Sequence, residues 1–227
     1  MRLKVTGLAV GLAIAAPLFA QNKEDDRLVS SATVLQQFLS SGLPTTVLDK
    51  AMCVIVFPGV KKVAIGIGGT YGRGDMGCRQ GAAMNGAWGA PVMYTLDAGS
   101  VGIQLGATDT DFLLAVMNHN GATQVLNGKT KLGSNASAAA GPGAQATGFN
   151  SEQVSADILT YSRTKGVFAG VSLVGASVEV DNDANRAVYG RAMTAPQIEA
   201  GAVPAAGEGL VDLLNKTSPV RKGVVGG

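Results

Sequence analysis

Near the start of the chain, apolar residues repeat at the spacing of an α-helix. Side chains three to four positions apart form one apolar stripe: Leu28, Ala32, Leu35 and Phe38. This spacing, with acidic residues at its beginning, predicts a helix over residues 24–41. Its other face is polar but uncharged, so the helix packs against the domain or lies in a membrane surface, and packing is the commoner case. A break at residues 41–44 follows, and either Thr45 or Thr46 is a candidate N-cap of a second helix that ends near residue 52.

From residue 53 onward the pattern changes to short apolar runs, several of which alternate with small residues. The predicted strands span residues 53–57, 63–67, 92–96, 101–108, 112–118, 123–126, 158–161 and 167–180. Turns such as Asn120-Gly121 connect them, and helical patterns return at residues 195–200 and 208–214. The sequence therefore predicts the α+β class: a single domain with an antiparallel β-rich sheet or partly closed barrel and with N-terminal and C-terminal flanking helices.

Glycine is unusually abundant, with 32 residues in a chain of 227. These glycines lie among apolar residues without a triplet period, so they indicate bulged or closely approaching strands rather than collagen or disorder. Residues 133–150 are mostly small and have no regular period. We expect them to form a loop or a closely packed crossing.

The first twenty residues have the order of a signal peptide. Basic residues at positions 2 and 4 precede an apolar stretch at 8–16, and Ala20 lies just before a polar run. The stretch is shorter than the roughly 20 apolar residues of a membrane-spanning helix. We therefore predict a signal peptide over residues 1–20, a mature domain over residues 21–227, and an exported protein, periplasmic or secreted. The alternative is an uncleaved N-terminal anchor.

Charge gives no indication of a nucleic-acid partner. The full chain carries 18 Lys and Arg against 16 Asp and Glu, and removing residues 1–20 takes away two basic residues and no acidic ones. The mature chain is then neutral, whereas nucleic-acid binders usually carry a broad basic field. Any anion site must therefore be local.

Enzyme and cofactor motifs are weak in this sequence. The glycines at 72, 74 and 77 have the spacing of a dinucleotide-binding turn, but the residues after them do not begin a helix. A nucleophile would need a base, and His119 is the one histidine, in what the sequence indicates is a turn. Two acidic pairs, at 109 and 111 and at 181 and 183, remain open for acid–base chemistry but are more often solvated. We predict no enzyme activity, no cofactor and no metal.

The only cysteines are Cys53 and Cys78. Disulfides persist outside the cytosol, so export favours a bond between them. Two buried thiols are the alternative.

Five separated blocks of the chain resemble the SYLF family. They are residues 51–62 (AMCVIVFPGVKK), 66–79 (GIGGTYGRGDMGCR), 88–108 (WGAPVMYTLDAGSVGIQLGAT), 131–143 (KLGSNASAAAGPG) and 161–190 (YSRTKGVFAGVSLVGASVEVDNDANRAVYG). The resemblance spans residues 30–215, the expected core of the domain. It implies an exported bacterial member of a phospholipid-binding family in which phosphoinositide binding and actin binding or bundling occur in eukaryotic members.

One part of the family pattern is missing. Some members use a basic amphipathic N-terminal segment at the membrane, whereas this segment begins Glu24-Asp25-Asp26. The resemblance therefore implies anionic phospholipid or a membrane surface as partner without fixing the lipid, and the protein partner stays unknown. The alternative is a structural or protein–protein interaction domain. The candidate lipid-binding residues are the basic residues inside the matching blocks: Lys61, Lys62, Arg73, Arg79, Arg163 and Lys165.

Overall fold

The computed structural model describes residues 15–63, 69–99, 109–143, 148–201 and 209–221. The helices are α1 (Ala15–Ser40), α2 (Thr45–Lys50), α3 (His119–Leu126), α4 (Ser151–Ser155), α5 (Asn182–Tyr189), α6 (Ala195–Glu199) and α7 (Leu210–Thr217). The strands are β1 (Cys53–Val63), β2 (Gly69–Cys78), β3 (Val92–Gly99), β4 (Thr110–Val116), β5 (Lys129–Lys131), β6 (Ala138–Ala140), β7 (Ile158–Thr164), β8 (Val167–Gly170) and β9 (Ser177–Val180).

The strands form one curled sheet, a half-barrel, in the order β5-β9-β3-β2-β1-β4-β7-β6, with β8 also paired to β7. All pairings are antiparallel except that of β6 with β7. The strands are mostly antiparallel, and helices precede and follow them along the chain. This arrangement confirms the predicted α+β class and the partly closed barrel.

Alternation along β1 separates two cores. Ile55 and Phe57 belong to a cluster on one face of the sheet, to which α3 contributes Ala122 and Val125. Val54 and Val56 belong to a second cluster, which also contains apolar side chains of α1, α2 and α7. Because successive strand residues point to opposite faces, a single strand serves both cores.

A bulge in β1 positions Gly59, which lines the cleft described in the next subsection. The sequence predicted that this strand ends at residue 57, but the strand continues to Val63 with a register shift between Val56 and Lys61. Gly59 sits in the shift with φ of 53°, and its N–H donates to Asp111 Oδ1 at 2.9 Å. The extra residues bend the strand instead of ending it.

The predicted strand over residues 123–126 is wrong, because these residues lie in α3. The Asn118 side chain accepts a hydrogen bond from Gly121 N at 2.9 Å and caps this helix. Asn120-Gly121, expected to be a hairpin turn, forms its first turn. Ala122 and Val125, one helical turn apart, are the buried positions.

Several other boundaries differ from prediction. Helix α1 begins at Ala15 rather than near residue 24, and the region predicted as strand at 167–180 holds two strands separated by a turn. The glycine-rich β2 and helix α5 were not predicted. The predicted strand at 101–108, most of that at 63–67, and residues 1–14 of the predicted signal peptide lie outside the described residues.

The small-residue segment 133–150 includes the close crossing that was one of its two expected forms. A Cβ at Gly141 would lie 2.0 Å from the Tyr161 ring, and one at Gly170 would lie 2.1 Å from Gly141 O. The absence of side chains at Gly141 and Gly170 therefore lets these two backbones and the Tyr161 ring approach one another closely.

The structure contains the predicted disulfide. Cys53 and Cys78 are directly paired residues of β1 and β2, and their sulfurs are bonded. The bond lies at the end of the hairpin opposite the bulge, so it ties the central strand pair where the hairpin opens.

Among the helices in the described ranges, none combines the length and the apolarity needed to cross a bilayer.

Candidate anion-binding cleft

A cleft of about 610 Å³ lies between α1 and the bulged end of the β1–β2 hairpin. Four cationic side chains and one acid contribute to its walls: Lys23, Arg27, Lys61, Arg73 and Asp26. The remaining wall includes Pro58, Gly59 and Tyr71. The cleft therefore combines positive charge with a small apolar surface.

Local structure explains how the hairpin forms its side of the cleft. Past the bulge, Lys61 pairs with Tyr71 on β2. The next residue is Gly72, where a Cβ would lie 2.5 Å from Val60 Cγ2. Glycine there lets the two strands approach beneath the cleft. Tyr71 stays 44% exposed, unusual for a large aromatic side chain on a covered sheet.

Behind the cleft, two arginines and two carboxylates form a compact ion cluster. Arg27 contacts Glu24 at 2.5 Å and Asp181 Oδ2 at 3.4 Å. Arg73 Nη2 contacts the same Asp181 oxygen at 2.7 Å and Glu24 Oε1 at 3.8 Å. The cluster joins α1, β2 and the start of α5, and within it the two positive and two negative charges balance.

Asp181 is the centre of this cluster. Burial alone would raise its pKa, but hydrogen bonds from Arg73 and from the Ala184 amide, together with the charge of Arg27, hold the pKa of this carboxyl below its usual value. The Ala184 bond also makes Asp181 the N-cap of α5. The carboxylate therefore stays ionised and fixes both arginines.

The two lysines of the cleft are different. In the described part of the chain, neither Lys23 nor Lys61 has a carboxylate within salt-bridge distance. Both are exposed. Ammonium groups without a counter-ion are the groups at this site that an incoming anion would meet first.

Two of the six predicted lipid-binding residues, Lys61 and Arg73, line the cleft. The backbone of Lys62 lies in β1 opposite Thr70, and its side chain is not among those that the structure describes. Lys165 is exposed in the turn between β7 and β8 with φ of 50°. Arg163 binds Asp111 Oδ2 at 2.7 Å and also donates to Gln37. Lipid contact by any of the six stays a prediction.

Arg79 occupies a different environment, since its side chain is fully buried. Its guanidinium donates to the backbone oxygens of Ala51 and Ser218 at 3.1 and 2.9 Å and to the Ser218 hydroxyl at 2.7 Å. It also stacks over the Trp88 ring at 4.2 Å. These contacts give Arg79 a structural role between α2, β2 and the segment after α7.

Lys23 and Tyr71 were not among the predicted site residues. Lys23 precedes Arg27 by four residues, a spacing that places both on one side of a helix. Extending the predicted helix by one residue would have indicated the pair. Nothing in the sequence distinguishes Tyr71 from a core tyrosine.

Of the four acids considered for catalysis, three lie near an arginine and the fourth, Asp109, is exposed. Asp111 binds Arg163, and Asp181 belongs to the ion cluster. Asp183 is exposed on α5, 3.6 Å from Arg186. Within the described ranges, no three His, Cys, Asp or Glu side chains are grouped as metal ligands. The glycines at 72, 74 and 77 lie inside strand β2 and not in a turn before a helix.

Comparison with known proteins gives a consistent assignment. The Ysc84 family profile, described as "Las17-binding protein actin regulator", matches residues 97–217. An SH3 domain-containing protein of Schizosaccharomyces pombe is 33% identical over 89% of this chain and 48% of its own length. LAS seventeen-binding protein 3 of Saccharomyces cerevisiae is 28% identical over 84% of this chain and 42% of its own.

A vertebrate relative shows the same proportions. The SH3 domain-containing YSC84-like protein 1 of Rattus norvegicus is 30% identical over 76% of this chain and 51% of its own length. The chain thus spans about half the length of the curated relatives it matches. The family description and the name of the Saccharomyces cerevisiae relative describe binding or regulatory proteins.

Proposed function

Because the chain belongs to the Ysc84, or SYLF, family of Las17-binding actin regulators, we propose that it is a non-enzymatic binding domain that attaches to anionic phospholipid surfaces through the cleft between α1 and the β1–β2 hairpin. The observation that carries the proposal is the pair of exposed lysines, Lys23 and Lys61, which have no carboxylate partner in the described ranges and which line one cleft with an exposed tyrosine.

Electrostatics supports an ionic contact with head groups. The ion cluster behind the cleft is neutral, so it holds Arg27 and Arg73 in place without cancelling the charge of the two lysines. A lipid phosphate accepts charge-assisted hydrogen bonds from ammonium groups, and the Tyr71 ring offers an amphipathic surface of the kind found at membrane interfaces.

The packing of α1 argues against deep insertion of this helix. Leu28, Leu35 and Phe38 are buried against the domain, and α1 contacts β1, β2, α5 and α7. Val29 is the one large apolar side chain of residues 23–40 that is exposed. Membrane contact should therefore depend on charge and weaken as salt screens it.

Vesicle co-sedimentation tests this function. The chain from residue 21 onward is mixed with vesicles of phosphatidylcholine alone or of an equimolar mixture with phosphatidylglycerol, at low and high salt. We expect binding to the anionic vesicles that fades with salt. Lys61→Glu should weaken it about tenfold or more, because each charge near an anionic surface contributes about 1 kcal/mol.

Lys131→Glu is the matched control. Lys131 is an exposed strand lysine on β5, at the far edge of the sheet, and its reversal changes the net charge equally. Equal loss in the two variants would assign binding to overall charge and not to the cleft. Absence of binding to every vesicle would overturn the lipid function.

A protein-binding function is the second candidate, and the names of the relatives favour it. One yeast relative is called a LAS seventeen-binding protein, and the family description calls its members actin regulators. Salt-insensitive binding to a protein partner, with no vesicle binding, would favour this function over the first.

Export is part of the proposal. It rests on the signal-peptide pattern of residues 1–20 and agrees with a disulfide between Cys53 and Cys78. N-terminal sequencing of protein from the exported fraction should begin at residue 21. A mature chain that keeps residue 1 would contradict cleavage.

A further inference from the structure

A second, smaller pocket lies at the other end of β1 from the cleft. It has a volume of about 150 Å³ and is bordered by the end of α2, the residue after β4, helix α4 and the segment after α7. Its neighbour Met117 follows Val116, which pairs with Cys53 at the start of β1, whereas Lys61 of the cleft lies eight residues further along that strand. The two sites thus lie toward opposite ends of β1, at most about 25 Å apart along the strand.

Two cations converge on this pocket. Arg221 Nε donates to Lys50 O at 2.9 Å, and its Nη2 donates to Met117 O at 3.4 Å. The Lys50 ammonium lies 4.4 Å from the centre of the Phe149 ring. In the ranges that the structure describes, neither cation has a salt bridge to a carboxylate. Both cations are half-buried, so the charge is held in place and only partly solvated.

Three apolar side chains and Gln153 form the rest of the pocket. Met117, Phe149 and Val154 supply the apolar surface. Val154 is 71% exposed although it lies on a helix that packs against the domain. Asn150 and Gln153 form a capping box at the start of this helix, and Gln153 Nε2 also donates to Ala140 O at 3.0 Å. These hydrogen bonds hold the start of α4 beside the pocket.

Charge and size together define the ligand. A cavity of this volume holds one benzene-sized group. The two cations beside the cavity would bind carboxylates. The geometry points to a docking site for a short acidic peptide segment of a partner protein, in which one aromatic side chain enters the pocket and flanking carboxylates meet Lys50 and Arg221. This site is independent of the lipid-binding cleft.

The probe is a terminally blocked, fluorescein-labelled peptide, Gly-Asp-Phe-Glu-Gly, with a counterpart that carries Asn and Gln in place of the acids. Fluorescence anisotropy measures its affinity, and ¹⁵N–¹H spectra of the labelled protein locate it. We expect binding of the acidic peptide below about 1 mM, at least about tenfold weaker binding of the amide peptide, and shifted signals at residues 149–154 and 221.

Val154→Asp places a negative charge at the mouth of the pocket without disturbing a buried side chain, and should weaken binding about tenfold. Val167→Asp is the matched control, because Val167 on β8 is 70% exposed and lies outside the pocket. Lys50→Met, which keeps the contact with Phe149 but removes the charge, should also weaken binding.

Several results would overturn the site. They are no anisotropy change at 1 mM peptide, equal binding of the acidic and amide peptides, signal shifts elsewhere on the protein, or equal effects of the two valine variants. Lys61→Glu should leave peptide binding unchanged, and Val154→Asp should leave vesicle sedimentation unchanged. Loss of vesicle binding in Val154→Asp with peptide binding intact would assign this surface to lipid instead.

Discussion

The Asp75 carboxyl of β2 faces the Ser31 hydroxyl of α1, and both side chains are fully buried. Burial raises the pKa of Asp75 to about 7, although Ser31 and the charge of Arg27 act in the opposite direction. In the described residues, neither carboxyl oxygen has a hydrogen bond of normal geometry. A titratable group therefore lies buried where the N-terminal helix α1 packs against β2.

This buried carboxyl predicts a stability that falls as pH rises from about 4 to about 7. In that interval the unfolded chain releases the Asp75 proton near its ordinary pKa of 3.8, whereas the folded chain retains it until about 7. The cost above pH 7 is on the order of 4 kcal/mol. Asp75→Asn should remove it, so urea unfolding should find the variant close to the native chain at about pH 3.5, below the ordinary pKa, and more stable at pH 8. A difference between the two proteins that does not change with pH would contradict the assignment.

The disulfide predicts a large loss of stability on its removal. Cys53 and Cys78 are 25 positions apart and fully buried. A double substitution to alanine should lower the free energy of unfolding by about 3 kcal/mol, mainly because the unfolded chain gains freedom. Urea unfolding measures this loss, and a thiol assay on denatured, unreduced protein should find no free thiol. Two thiols in that assay would show that the bond is absent from the purified protein.

The crossing of Gly141 over Tyr161 predicts a strong effect of one added methyl group. A Cβ at Gly141 would overlap the tyrosine ring, whereas a Cβ at Gly143 would meet nothing within 4 Å. Gly141→Ala should therefore destabilise the domain by about 2 kcal/mol or more, and Gly143→Ala should leave its stability almost unchanged. Thermal unfolding of the two variants side by side checks this. Similar melting temperatures would mean that the segment moves to make room.

Arg79 predicts a loss of stability rather than a loss of lipid binding. Burial lowers its pKa to about 10 against the opposing charge of Asp49, and its guanidinium bonds are internal. Arg79→Gln should cost about 3 kcal/mol, because it leaves buried oxygens without their donor and removes the positive charge that faces Asp49. Circular dichroism during urea unfolding measures this. Arg186→Gln, at an exposed position, is the control. A folded Arg79→Gln domain that no longer bound anionic vesicles would return Arg79 to the lipid-binding surface.

Local patterns in the sequence predicted much of the sheet. The apolar runs that became β4 and β7 have consecutive buried residues on both faces, and such strands have a strong local signature. Strand β2 lacks that signature because four of its ten residues are glycine. Asn120-Gly121 was misassigned because the same dipeptide suits a hairpin turn and the first turn of a capped helix, and only the buried positions Ala122 and Val125 decide between them.

The candidate sites depend more on distant contacts. The resemblance selected Lys61 and Arg73 by their sequence blocks, and the structure brings both to one cleft. It also selected Arg79, whose burial depends on Ser218, a residue 139 positions away. Charge alone does not distinguish a solvated arginine from one enclosed by the rest of the chain.

The packing of α1 against α7 has a consequence for the order of folding. Helix α1 is among the first segments to be made, yet its surroundings include Leu210 and Leu214, which are synthesised almost two hundred residues later. The β1–β2 hairpin can pair early, but the helix that covers it has no complete partner until α7 has been synthesised. Assembly of this face must therefore wait for nearly the whole polypeptide, and until then an apolar surface is open to other proteins, chaperones included.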